Sequence, residues 1–115
     1  MFISVTRLRL KGKRMLPKFF LHTMKSIRQA KNANGLIHSS FYKEDWTTFW
    51  TLTVWENKEC MTEFRNRGNH LEAMRISRKI ADDLEKINWE SDRIPSWSES
   101  KERLHKHYGR IEKLG

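Results

Sequence analysis

The chain has 115 residues, 23 of them Lys or Arg against 14 Asp or Glu, for a net charge of +9. That length holds one domain, and 37% apolar residues suffice for one small core. No apolar run approaches the roughly 18–20 residues that cross a bilayer, the single Cys60 excludes an internal disulfide or a cysteine metal cluster, and phosphate-loop, paired-His and Gly-x-Ser-x-Gly motifs are missing.

The charge is unevenly laid out. Residues 1–43 carry ten basic residues and no acidic one, while residues 44–115 carry 13 basic and 14 acidic. The opening Met-Phe-Ile-Ser-Val-Thr-Arg lacks the order of a secretory signal, so a cytoplasmic protein is expected.

Residues 2–10 alternate with period two and predict a strand. Pro17 suits a first helical turn, and Leu16, Phe20, Met24 and Ile27 predict the inward stripe of a helix closed by Asn34-Gly35. Residues 36–42 predict a second strand. Residues 47–55, almost all β-branched or aromatic, predict a third. The third is apolar on both faces and needs cover on both. One layer can come from the chain's own helices, and a partner subunit is the economical source of the other, with Trp50 at that interface.

Asn57 predicts the N-cap of a second helix over 58–66. After Gly68 a further helix is expected from Asn69 to about Lys86, on a stripe of Met74, Ser77, Ala81 and Leu84. Residues 87–94 predict a fourth strand, and Ser96 or Ser98 the cap of a terminal helix over 99–107. The order β-α-β-β-α-β plus a helix is the ferredoxin-like split βαβ arrangement, α+β with a four-stranded antiparallel sheet. Residues 1–97 are read as that domain and 98–115 as a C-terminal helix and tail.

The spacing Trp55-x8-Phe64-x5-His70-x3-Met74, with Trp89 and Ile94-Pro95-Ser96-Trp97, resembles the antibiotic-biosynthesis-monooxygenase-like superfamily of dimeric α/β barrels. Within it the chain is most similar to spheroidene-monooxygenase-like bacterial proteins. The resemblance implies a homodimer whose two sheets pack face to face, and a pocket in each chain between sheet and helices. Heme-degrading relatives have Trp and a heme-ligating His where this chain has Phe64 and Met74. They have Asn on the first strand, where this chain offers Ser4 and Thr6. Heme is therefore disfavoured, and no cofactor is expected.

His70 is the sharpest candidate catalytic residue. Placed at a helix start, a neutral imidazole can act as a base or bond a substrate oxygen. The bland alternative is a buried His that holds the helix break. Trp55, Phe64 and Met74 are candidate apolar walls of a substrate site, or simply core. Thr6 and His38 are its candidate polar groups, or ordinary sheet residues. Cys60 reads as incidental.

The expected function is monooxygenase-like: binding, and in its full form oxidising, a hydrophobic or aromatic small molecule. The alternatives are a non-catalytic binding or structural dimeric module and, lower, a basic nucleic-acid binder. The third strand lacks the RNA-binding signature, which makes nucleic acid an unfavoured partner, and no membrane-binding face is evident. The basic first third reads as a solvated face or a guide for anions.

Overall fold

The computed structural model describes residues 1–66, 75 and 78–109. The alternation in the first residues produces β1 (Phe2–Leu10), which lies in the middle of the sheet. A short 3-10 turn (Lys13–Met15) leads into α1 (Leu16–Lys31), with Pro17 in its first turn. Then come β2 (Leu36–Lys43), β3 (Thr48–Trp55), α2 (Lys58–Arg65), β4 (Ala81–Glu90) and α3 (Trp97–His107). The sheet order is β2-β3-β1-β4 and every pairing is antiparallel, as the ferredoxin-like reading requires.

Two caps form as the residue types dictate. The Asn57 side chain accepts the Cys60 N–H at 2.9 Å, and the Ser96 hydroxyl accepts the Glu99 N–H at 3.1 Å. Gly35 takes the left-handed conformation expected of it, with φ of 85°. It does not cap α1, which ends at Lys31; it opens β2 beside α2. A Cβ there would sit 2.8 Å from the Cys60 Cβ and closer still to its sulfur.

The largest departure from expectation is β4. The apolar stripe predicts helix to Lys86, yet the chain is extended from Ala81. The cause is non-local. β1 needs a partner on each edge, and β4 supplies its ladder from Phe2↔Glu90 to Leu10↔Ala81. The same register brings acids to the basic strand. Arg7 lies 3.4 Å from both Asp83 and Glu85, and Arg9 lies 2.8 Å from Asp82. Part of the basic first third is thus neutralised within the fold rather than left solvated. β4 also stops at Glu90 rather than 94, where Ser91 and Met1 exchange backbone bonds of 2.9 and 2.7 Å.

The sheet is covered on both faces by this chain. One face meets α3, where Leu104 is packed with Ile3, Val5, Trp50, Leu52 and Val54. Trp50 has no exposed surface in the single chain. Its ring meets His105 of α3 edge-on at 5.4 Å, and its N–H donates to Glu44 at 2.8 Å. Trp50 is therefore already covered within the chain by the terminal helix, and its burial by itself requires no partner subunit.

The other face meets α1 and α2. Phe2, Trp55, Met61 and Phe64 close one end, and Leu8, Leu10 and Ile80 close the other, with Phe19 and Phe49 alongside. α1 is turned from its predicted stripe. Phe20 and Met24 are 44% and 53% exposed, and the sheet-facing positions include Phe19, Thr23, Ser26, Ile27 and Ala30.

Candidate functional site

Between the two plugs the sheet is not packed down. Along β1, Phe2 and Leu8 are buried but Ser4 and Thr6 between them stay half-buried. Along β3, Trp55 is buried while Thr51 and Thr53 stay half-buried. These are central strands, so half-exposed side chains there mean an open space beneath the helices. The register sets them in rows: Phe41, Thr51, Thr6 and Lys86 form one, and Ser39, Thr53, Ser4 and Asn88 the next. A floor of hydroxyls results, roofed by α1 and walled by aromatics.

The space is a cavity of about 230 Å³. It exceeds the roughly 150 Å³ that admits benzene and falls short of the roughly 300–1,000 Å³ of drug-sized sites. Trp55 and Phe64, ring centres 5.1 Å apart, form one wall. Phe19 stacks on Phe49 at 4.7 Å and forms the opposite one. His22, Thr23 and Ser26 look in from α1. Two wall atoms are buried and unpartnered among the described residues, the Ser26 Oγ and the Trp55 Nε1.

Among the described residues three cations also line the cavity: Arg65 at the end of α2, Arg78, and Lys86 on β4. Desolvation holds the Lys86 pKa below its usual 10.5, and the neighbouring charges of Arg65 and Arg78 push it the same way.

The sequence-predicted residues divide as follows. Thr6, Trp55 and Phe64 line the cavity together. His38 does not: it pairs with Val54, on the face that α3 covers. An irregularity in β2 between Leu36 and His38 shifts its register. His70 and Met74 lie outside the described residues. Sequence reasoning missed His22, Ser26, Arg65, Arg78 and Lys86. For His22 and Ser26 a signal existed, since they sit one helical face over from the apolar stripe. For Lys86 there was none, because it was read as the end of a helix. Among the described residues no three His, Cys, Asp or Glu side chains cluster as a metal site. Among the same residues no helix is long and apolar enough to cross a membrane.

Solved structures with this fold share it at low identity. A candidate antibiotic biosynthesis monooxygenase from Nitrosomonas europaea superposes with a TM-score of 0.73 at 10% identity, over 81% of this chain and 100% of that one. A conserved protein from Methanosarcina mazei Go1 gives 0.72 at 13%, over 79% and 92%. SnoaB, a cofactor-independent oxygenase from Streptomyces nogalater, gives 0.67 at 10%, over 81% and 94%. The fold is therefore that of the antibiotic biosynthesis monooxygenases. No curated protein matches the chain. The model of one family, described as a domain of unknown function (DUF3291), matches residues 20–109.

Proposed function

The chain belongs to the DUF3291 family, and from that premise we propose that it is a monooxygenase-like protein that takes up a one- or two-ring aromatic molecule between its sheet and α1. The observation that carries this reading is the gap itself. Ser4, Thr6, Thr51 and Thr53 lie at the centre of a sheet yet stay half-exposed under a helix. Cores pack to crystal-like density, so a space of about 230 Å³ with aromatic walls and hydroxyls on its floor is the form of a binding site rather than a packing defect.

The reaction that fits is oxygenation, the activity by which SnoaB, a cofactor-independent oxygenase of the same fold, is described; the aromatic walls and hydroxyl floor make a phenolic ring its substrate here. His22 is the imidazole that lines the cavity among the described residues, and it is the group to take the phenolic proton. His70, the base expected from the sequence, is the second candidate for that role. The resulting phenolate is electron-rich enough to react with dioxygen. One oxygen atom is kept in a quinone and the other leaves as water, so 1-naphthol plus O₂ gives 1,4-naphthoquinone plus H₂O.

The test is titration of the protein with 1-naphthol, followed by Trp fluorescence, against a Thr6→Phe variant that fills the floor. Wild type is expected to bind, and the variant to stay folded and lose at least about tenfold in affinity (about 1.4 kcal/mol). Equal binding by a folded variant refutes the pocket. An oxygen electrode then reads the reaction, and His22→Gln is expected to slow uptake without weakening binding.

A further inference from the structure

The cavity has one chemical asymmetry that an apolar ligand leaves unused. On the opposite face of the sheet the arginines meet acids: Arg7 meets Asp83 and Glu85, and Arg93 and Arg103 meet Glu99 at 2.7 and 3.0 Å. At the cavity the pattern stops. Arg65, Arg78 and Lys86 line one space, close enough for both arginine charges to act on the lysine. Among the described residues no carboxylate pairs with any of them. Three like charges held together repel one another, and such a group is stabilised when an anion sits among them.

Their placement is specific. The register sets Lys86 beside Thr6, so its stem belongs to the hydroxyl floor. Arg65 is at the C-terminal end of α2, where a cation is favoured by the helix dipole. Both Lys86 and Arg78 reach solvent while Trp55 and Phe64 are buried, so these two cations lie at the mouth of the cavity and those two rings in its interior. Arginine forks also match the two oxygens of a planar or tetrahedral anion.

We propose that the ligand of this cavity is an aromatic acid, its ring held by the Trp55 and Phe64 wall and its anionic group held at the mouth by Arg65, Arg78 and Lys86. This rests on the pocket reading above and sharpens it from an apolar ring to an amphipathic anion. It also gives the exposed basic residues of α1 a role, since Lys18, Lys25 and Arg28 lie on the same side of the sheet and draw anions towards the mouth.

Three probes of one ring size decide it: 1-naphthol, 1-naphthoate and 1-naphthyl phosphate, titrated at low and at moderate salt. At least one anion is expected to bind about tenfold or more tightly than the neutral naphthol, with an advantage that shrinks as salt rises. Which anion leads separates a carboxylate from a phosphate ligand. In Arg78→Gln and Lys86→Gln that advantage, read as the ratio of anion to naphthol affinity within each variant, is expected to fall several-fold. Melting curves confirm that both variants are folded. If naphthol binds and neither anion does better, the acid proposal is overturned and the pocket stands. If the advantage survives loss of both side chains, the assignment of these residues is overturned. If none of the three probes binds, the pocket and the acid proposal fall together.

Discussion

Leu104 is the single side chain through which α3 holds the sheet most firmly. It has no exposed surface, and it fills the space over Trp50, Leu52 and Val54. Leu104→Ala removes three carbon groups, worth about 0.8 kcal/mol each in transfer from water, or roughly 2.4 kcal/mol. The void left behind adds to that, because a sheet backed by β1 and β3 cannot collapse into it, and buried Leu→Ala changes run about 2–5 kcal/mol. A loss of about 3 kcal/mol is therefore expected, with a fall in melting temperature on the order of 10 °C. Urea unfolding followed by far-UV circular dichroism measures it, with the denaturant slope unchanged. Leu21→Ala is the control. Leu21 is 54% exposed on α1, so its loss is expected to stay within about 0.5 kcal/mol. If Leu104→Ala costs less than about 1 kcal/mol, α3 does not cover the sheet and the inner role of Trp50 falls with it.

Two further outcomes follow from local geometry. Gly35→Ala puts a methyl group into contact with the Cys60 side chain at a φ of 85°. It is expected to destabilise by roughly 1–3 kcal/mol, read as a lower urea midpoint. The Asp45 carboxylate accepts from the Thr47 N–H and the Thr48 N–H at 2.8 Å each and from the Thr47 hydroxyl at 3.0 Å. These bonds, the Thr47 backbone N–H first, hold its pKa below the usual 3.8. A carboxyl with a lowered folded pKa contributes stability in full above 3.8 and loses it as pH falls through the folded value. Wild type is thus expected to exceed Asp45→Asn at neutral pH, with the gap closing below 3.8; a gap constant across acid pH contradicts the turn's role.

Most of the fold was legible because its signals are local. The period-two run of β1, the β-branched and aromatic β3, and the Asn57 and Ser96 caps each name their own structure. What was not legible depends on partners distant in sequence. Ala81 and Leu84 fit a helical stripe as well as a strand. The tie is broken by the free edge of β1 and by Arg7 and Arg9 facing Asp82, Asp83 and Glu85. The site was half legible for the same reason. Thr6, Trp55 and Phe64 sit on elements read correctly, so they fell into the cavity. His38 lies across from Val54, on the face that α3 covers, and Lys86 sits on a strand whose local pattern fits a helix equally well. The stripe of α1 departs from the rule that apolar positions point inward. Here the helix roofs a space, so Thr23 and Ser26 face in while Phe20 and Met24 face out.

That roof has a consequence for how the molecule breathes. The 16 residues of α1 include not one that is fully buried. A helix derives most of its stability in a protein from an apolar face pressed on a core, and α1 has traded much of that face for empty volume. The cost of lifting it is then well below the cost of unfolding the sheet, whose β1 is bonded along both edges and sealed on its far side. Amide exchange should grade accordingly, slow along β1 and β3 and fast along α1. The same looseness gives a ligand a way in, and an occupied cavity gives the helix the core it lacks.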